Sequence, residues 1–157
     1  MMERESNVTH TLTELDIPHR LHLHEQPLRS LQQAAEERGL NPEQIVRSLL
    51  FRLGKGEFIL VLMPGTRPVS WPKLRHFLGV SRLTMATTEE VREITGYEPG
   101  TVSPFGLKIP LRILADHSLR ELKVISMGAG IPNAGVIMQC QDLIGTLQLE
   151  WADLGGN

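Results

Sequence analysis

The residues with the most chemical potential in this chain lie in TGYEPGTVSPFG, residues 95–106, where three glycines and two prolines fall within twelve positions. That density bends the backbone at set points and rules out the interior of a regular helix or strand. With Gly100 and Pro104 four apart, the main chain can approach a ligand closely and present consecutive N–H groups to a carbonyl or oxyanion. The same spacing also spells a buried turn, and the residues alone leave the two readings open.

Other chemistry is sought by elimination. The chain has no GxGxxG after a strand, no Walker lysine, and no GxSxG, CxxC or HExxH, so the familiar nucleotide, hydrolase and metalloprotease signatures are missing. His19, His22 and His24 form a local cluster without a cysteine or a carboxylate at zinc spacing beyond Glu25, and they read first as polar strand surface. Cys140 stands alone, so no internal disulfide is possible, and neither it nor Ser103, followed by Pro104, carries an activating signature. No protein nucleophile is spelled out.

The elements that must position the loop follow from caps and periodicity. Thr11 to Leu15 reads as a short helix, and the alternation Arg20-Leu21-His22-Leu23-His24 as a half-buried strand. Ser30 opens a helix closed by Gly39, and Asn41-Pro42 opens a further turn. Ile45 to Leu53 and Glu57 to Met63 form a hairpin about Gly54-Lys55-Gly56. Ser70 caps a helix through Leu74, Phe77 and Leu78 that Gly79 ends; the Thr87–Glu90 capping box starts another that runs into the glycine loop. Strands are expected at 111–115, 123–126 and 135–139, with a glycine-rich bend at 128–133 and a last helix through Asp142 and Leu143. The centre of the chain is expected to be an antiparallel sheet.

At 157 residues and 41% hydrophobic content, the composition suits one globular domain. The longest apolar runs are far too short to cross a bilayer, and MMERESNVTH lacks the order of a secretory leader, so a cytoplasmic protein without a membrane or DNA partner is expected. The net charge of −2 hides a block pattern: residues 45–82 carry seven Lys/Arg against one Asp/Glu, between two acidic flanks. Arg47, Arg52, Lys55, Arg67, Lys73, Arg75 and Arg82 suit the phosphates of an RNA end, or equally a solvated face with salt bridges to those flanks.

The loop at 95–106, IVRSLLFRL at 45–53, LADHS at 114–118 and the close GAG…DL at 128–143 together resemble the YbaK/EbsC family. That family groups freestanding aminoacyl-tRNA deacylases with the editing insertion of bacterial prolyl-tRNA synthetases. The resemblance covers roughly residues 17–147 within a single 1–157 domain. It implies an α/β (α+β-like) fold with a mixed, largely antiparallel, barrel-like sheet surrounded by helices. It also implies hydrolysis of the ester of mischarged aminoacyl-tRNA, without metal or organic cofactor and with a synthetase as a possible partner.

What the resemblance implies for the site is a main-chain clamp on the aminoacyl carbonyl at Gly100, Thr101, Val102, Ser103 and Pro104. Attack is then by water, assisted by the ribose hydroxyl of the tRNA. Arg47 joins the catalytic group, standing where the family commonly has a lysine; arginine keeps the charge but does not readily lose a proton. His24, Ser48, Asp116, Gly128 and Gly130 are the expected substrate-binding residues. Thr101 replaces a frequent glycine and His24 a family tyrosine, so substrate choice is the property these departures touch. A rival reading keeps the fold as a non-catalytic module binding tRNA ends, an amino acid or a synthetase.

Overall fold

The computed structural model describes residues 6–54 and 56–156. MMERE of the leader reading and Lys55 of the basic block lie outside them.

The fold is built on β3 (Glu57–Pro64), whose residues from Ile59 to Pro64 are all buried, as suits an apolar run covered on both faces. It pairs antiparallel with β2 (Val46–Gly54) and parallel with β5 (Arg112–Asp116). With β4 (Thr84–Met85) and β8 (Leu149–Ala152) these make a five-stranded sheet in the order β4-β2-β3-β5-β8. A second, antiparallel sheet has the order β1-β7-β6, from β1 (His19–Leu23), β7 (Ala134–Gln139) and β6 (Val124–Gly128). The mixed, largely antiparallel α/β expectation holds. The sheet does not close into a barrel: two open sheets are joined by a parallel bridge between Ile45 and Ser126, and beyond it β2 and β6 part.

Alternation along β3 divides the interior. Leu60 and Leu62 face the main core with Val46, Leu50, Ile125, Met127, Val136 and Met138. Ile59 and Val61 face a second core closed by Leu74 of α3 (Trp71–Leu78).

Capping residues set the helix ends. α1 (Asn7–Glu14) begins four residues before the expected Thr11, because Ser6 Oγ accepts the Thr9 N–H at 3.1 Å while Thr9 Oγ1 accepts the Ser6 N–H at 2.9 Å. α2 (Leu31–Arg38) starts at the Ser30 cap and stops at Gly39, with φ 75°. α4 (Thr88–Thr95) carries the expected Thr87–Glu90 capping box, and α5 (Cys140–Thr146) follows β7 directly. β8 was not expected, although Leu-Gln-Leu-Glu-Trp-Ala at 147–152 alternates as a strand does. The packed interior also exceeds residues 17–147: Val8, Leu12 and Leu154 are fully buried. No helix among the described residues is long and apolar enough to cross a membrane.

Candidate active site

The glycine loop leaves α4 at Gly96, a left-handed C-cap with φ 82°. Its first turn folds back on itself, the Thr101 N–H and Oγ1 both donating to Glu98 O at 3.0 and 2.8 Å. Gly100 is held at φ 87°, a conformation that strains any side-chain-bearing residue. From behind, the Gly130 N–H donates to Thr101 O at 2.9 Å. Gly128 is pressed so closely against the loop that a Cβ there would lie 2.4 Å from Val102 O. Among the described residues, the N–H groups of Gly100, Val102 and Ser103 donate to no protein acceptor. The loop is thus a rigid arch with unused donors, which is what an oxyanion clamp requires.

Facing the arch is a cleft of about 730 Å³, occupying the gap where β2 and β6 part. Arg47, Ser48, Gly100, Thr101, Val102 and Gly128 all line it, so six residues expected in one site from three separate stretches come together. Two of them carry buried polar atoms without any partner, Arg47 Nε and Ser48 Oγ. The Arg47 guanidinium is anchored at one end, Nη2 donating to Arg67 O, and burial pushes its pKa down from the ordinary arginine value while leaving it a cation. Ser48 adds main-chain groups: Leu50 O accepts from Ala86 N on the β4 side of β2. In an antiparallel strand the residue two positions earlier points its N–H and C=O to the same edge, and there β4 has ended.

A family model for the aminoacyl-tRNA editing domain matches residues 25–146. The chain belongs to that family. It is 38% identical over 101 residues to a proline-tRNA ligase of Kosmotoga olearia, covering 64% of this chain and 17% of the ligase. It is 32% identical over 133 residues to the proline-tRNA ligase of Thermosipho melanesiensis, covering 84% of this chain and 23% of that one. The chain therefore spans less than a quarter of the length of these relatives. Among solved structures, one described as a candidate trans-editing enzyme for prolyl tRNA synthetase is 28% identical, with TM-score 0.86 and 96% of each chain covered. The editing-domain arch and cleft are thus set in the fold these relatives share.

Five of the expected residues do not line the editing-domain cleft. Ser103 is fully buried behind the arch, where its Oγ accepts the Phe105 N–H at 3.1 Å and contacts Met127 Sδ at 3.7 Å. Pro104 is buried beside it and, lacking an N–H, cannot donate to a carbonyl. Gly130 stands behind the arch as a support. Asp116 belongs to the scaffold: Oδ2 accepts from the Ser118 N–H and hydroxyl and Oδ1 from the Leu154 N–H at 2.8 Å, so it anchors a turn and the C-terminal segment. Burial pushes its carboxyl up, and these hydrogen bonds outweigh that and hold it below the ordinary value.

His24 lies behind the cleft wall in a polar relay that sequence reasoning missed. Arg38, 8% exposed and part of the cleft lining, donates from Nε to His24 Nε2 at 3.1 Å, from Nη1 to Ser126 Oγ at 2.9 Å and from Nη2 to Ala134 O at 3.3 Å. An arginine Nε–H only donates, so His24 Nε2 is an acceptor and its Nδ1 carries the proton given to Glu37 Oε1, 2.8 Å away. That bond holds the Glu37 carboxyl below its ordinary value. His22, His24 and Glu37 place ligand atoms within 4.8 Å of one another. They fit a cation poorly, because both His24 nitrogens are engaged and one faces the Arg38 guanidinium.

The basic block divides as the structure pairs it. Arg52 meets Glu90 at 3.4 Å and Lys73 meets Asp153 at 3.0 Å, while Arg67 donates to the Gly155 and Gly156 carbonyls. Arg47 enters the cleft instead, joined there by Arg29 and Arg38.

Proposed function

We propose that this editing domain hydrolyses the ester linking a wrong amino acid to tRNA, in the cytoplasm, by substrate-assisted attack of water and without a metal. The observation that carries the reading is the pairing, across one cleft, of the unpartnered Arg47 Nε and Ser48 Oγ with an arch whose N–H groups are unused. Buried polar groups without partners cost stability, so their presence on a cleft wall fits groups that a ligand satisfies. The aminoacyl carbonyl sits under the arch, and the Gly100 and Val102 N–H groups meet the charge that develops on its oxygen. Arg47, fixed at one end by Arg67 O, directs its free Nε–H to the substrate oxygens and holds the ester in place. The ribose hydroxyl beside the ester positions the attacking water, which accounts for the lack of a protein nucleophile. Arg29, Arg38 and Arg47 give the cleft a positive character suited to the terminal nucleotides. Relatives named proline-tRNA ligases make tRNA for proline, and the synthetase that charges it, the first partners to test.

The second reading, a binding module without catalysis, is favoured by one feature: Arg47 cannot supply a neutral amine. A deacylation assay on a panel of mischarged tRNAs, with Gly100→Ala beside the wild type, separates the two. The expected result is release of at least one amino acid well above buffer, cut about a hundredfold by Gly100→Ala. If no member of the panel is released faster than in buffer, the deacylase reading fails.

A further inference from the structure

We infer that Tyr97 and the N-terminal helix α1, through Asn7, form a brace that holds the arch in its reactive geometry, making Tyr97 and Asn7 positioning residues of this site. The inference rests on the deacylase reading for its effect on rate, and on the structure alone for its effect on the loop. Helix α1 lies before residues 25–146, the stretch matched to the family.

Tyr97, 4% exposed, donates from its hydroxyl to Phe105 O at 2.5 Å, and the same hydroxyl accepts from Asn7 Nδ2 at 3.3 Å. Asn7 Nδ2 also donates to Gly106 O at 2.6 Å. Two consecutive carbonyls at the far end of the loop are thereby gripped, in a chain of donors whose members polarise one another. The Tyr97 ring reaches the near end as well. A Cβ on Gly130 would lie 2.9 Å from Tyr97 Cε1 and 3.0 Å from Val8 Cγ2, and the Gly130 N–H is the one holding Thr101 O. Gly106 is equally enclosed, a Cβ there falling 2.5 Å from the Tyr97 hydroxyl and 2.8 Å from Asn7 Nδ2. The brace therefore ties both ends of the arch to α1 without itself lining the cleft. Loops carrying catalytic groups open locally unless such contacts hold them, and small displacements of a donor reduce rate far more than binding.

The test uses the full chain and three variants. Tyr97→Phe removes the hydroxyl, Asn7→Asp keeps the shape but removes the donor, and Leu74→Ala opens a cavity in the second core, away from α1 and the brace. Amide hydrogen exchange of residues 98–106 is expected to quicken at least about fivefold in the first two and to stay within twofold in Leu74→Ala. On a cleaved aminoacyl-tRNA, kcat is expected to fall about tenfold in Tyr97→Phe with KM within twofold. The double variant Tyr97→Phe with Asn7→Asp should lose less than the product of the single losses, since both act on one loop. Unchanged exchange in Tyr97→Phe and Asn7→Asp overturns the inference, as does a loss of kcat that follows Tm across all three variants. A wild type that cleaves nothing refutes the deacylase reading, and the exchange result then decides the brace by itself.

Discussion

Of the three arginines that line the cleft, Arg38 and Arg47 differ in their hydrogen bonding, and the contrast between their surroundings separates scaffold from chemistry. On the α2 wall, Arg38 lies flat against β7, so close that a Cβ on Gly135 would fall 2.2 Å from its Cζ, and each of its three nitrogens donates to a protein acceptor. On the β2 edge, Arg47 is anchored by one nitrogen and leaves Nε buried with no partner. Burial lowers the pKa of both. Hydrogen-bond satisfaction distinguishes them: the satisfied cation pins a helix to a sheet, while the unsatisfied one is poised for a group that arrives from outside.

The largest effect that can break this comparison is on Arg38. Replacing it with Met strands His24 Nε2, Ser126 Oγ and the Ala134 carbonyl in a buried setting, at about 1–3 kcal/mol for each unsatisfied group, partly relieved by entering water. A net loss of about 4 kcal/mol in urea unfolding is expected, with activity of the folded fraction within tenfold of the wild type. A loss below about 1 kcal/mol would show that the relay is not what holds α2.

Arg47→Ala is expected to behave in the opposite way. It removes a buried donor that lacks a partner, so unfolding free energy should stay within about 1 kcal/mol of the wild type or rise. Deacylation should fall about a hundredfold in kcat/KM, corresponding to about 2.7 kcal/mol of lost transition-state stabilisation. Arg47→Lys sharpens the point: a point charge recovers part of the rate if charge alone matters, and little of it if the planar fork is required. Stability that drops with activity intact would assign Arg47 to the scaffold and erase the contrast.

What the sequence disclosed of this arrangement follows from how local each signal is. Ser30, Ser70 and the Thr87–Glu90 pair announce helix starts within four residues, and all three cap as read. The arch was legible because glycine and proline constrain their own neighbours. Its use of N–H groups was only partly legible, since Thr101 donates within the turn and Pro104 has nothing to donate. Arg38 gave no signal: one residue before Gly39 it reads as a surface cation on a helix C-terminus, and its partners at 24, 126 and 134 are distant in the chain. Asn7 was hidden likewise, its acceptors lying some ninety or more residues away. The open sheets were hidden too, because closure depends on whether β2 and β6 stay paired past Ile45 and Ser126, which neither strand's pattern encodes.

The smallest expected effect tests whether the same rule of satisfaction holds in the brace behind the arch. Burial pushes the Tyr97 hydroxyl up to about 12, with the Asn7 bond acting weakly the other way. A folded-state pKa above the unfolded value near 10 means that the neutral form is favoured by the fold, so the contribution is complete below pH 10 and is lost as pH rises toward 12. The wild type should therefore lose stability across that window relative to Tyr97→Phe, which has no proton to release there, so the difference between the two unfolding curves narrows as pH rises. Other lysine, tyrosine and arginine groups titrate in the same range in both proteins, and the difference cancels them. Ultraviolet titration of the phenolate provides the direct check, because Tyr97 is the chain's single tyrosine. An ionisation near 10 in the folded protein would mean that water already reaches the hydroxyl, and a hydroxyl open to water cannot hold Phe105 O as a brace must.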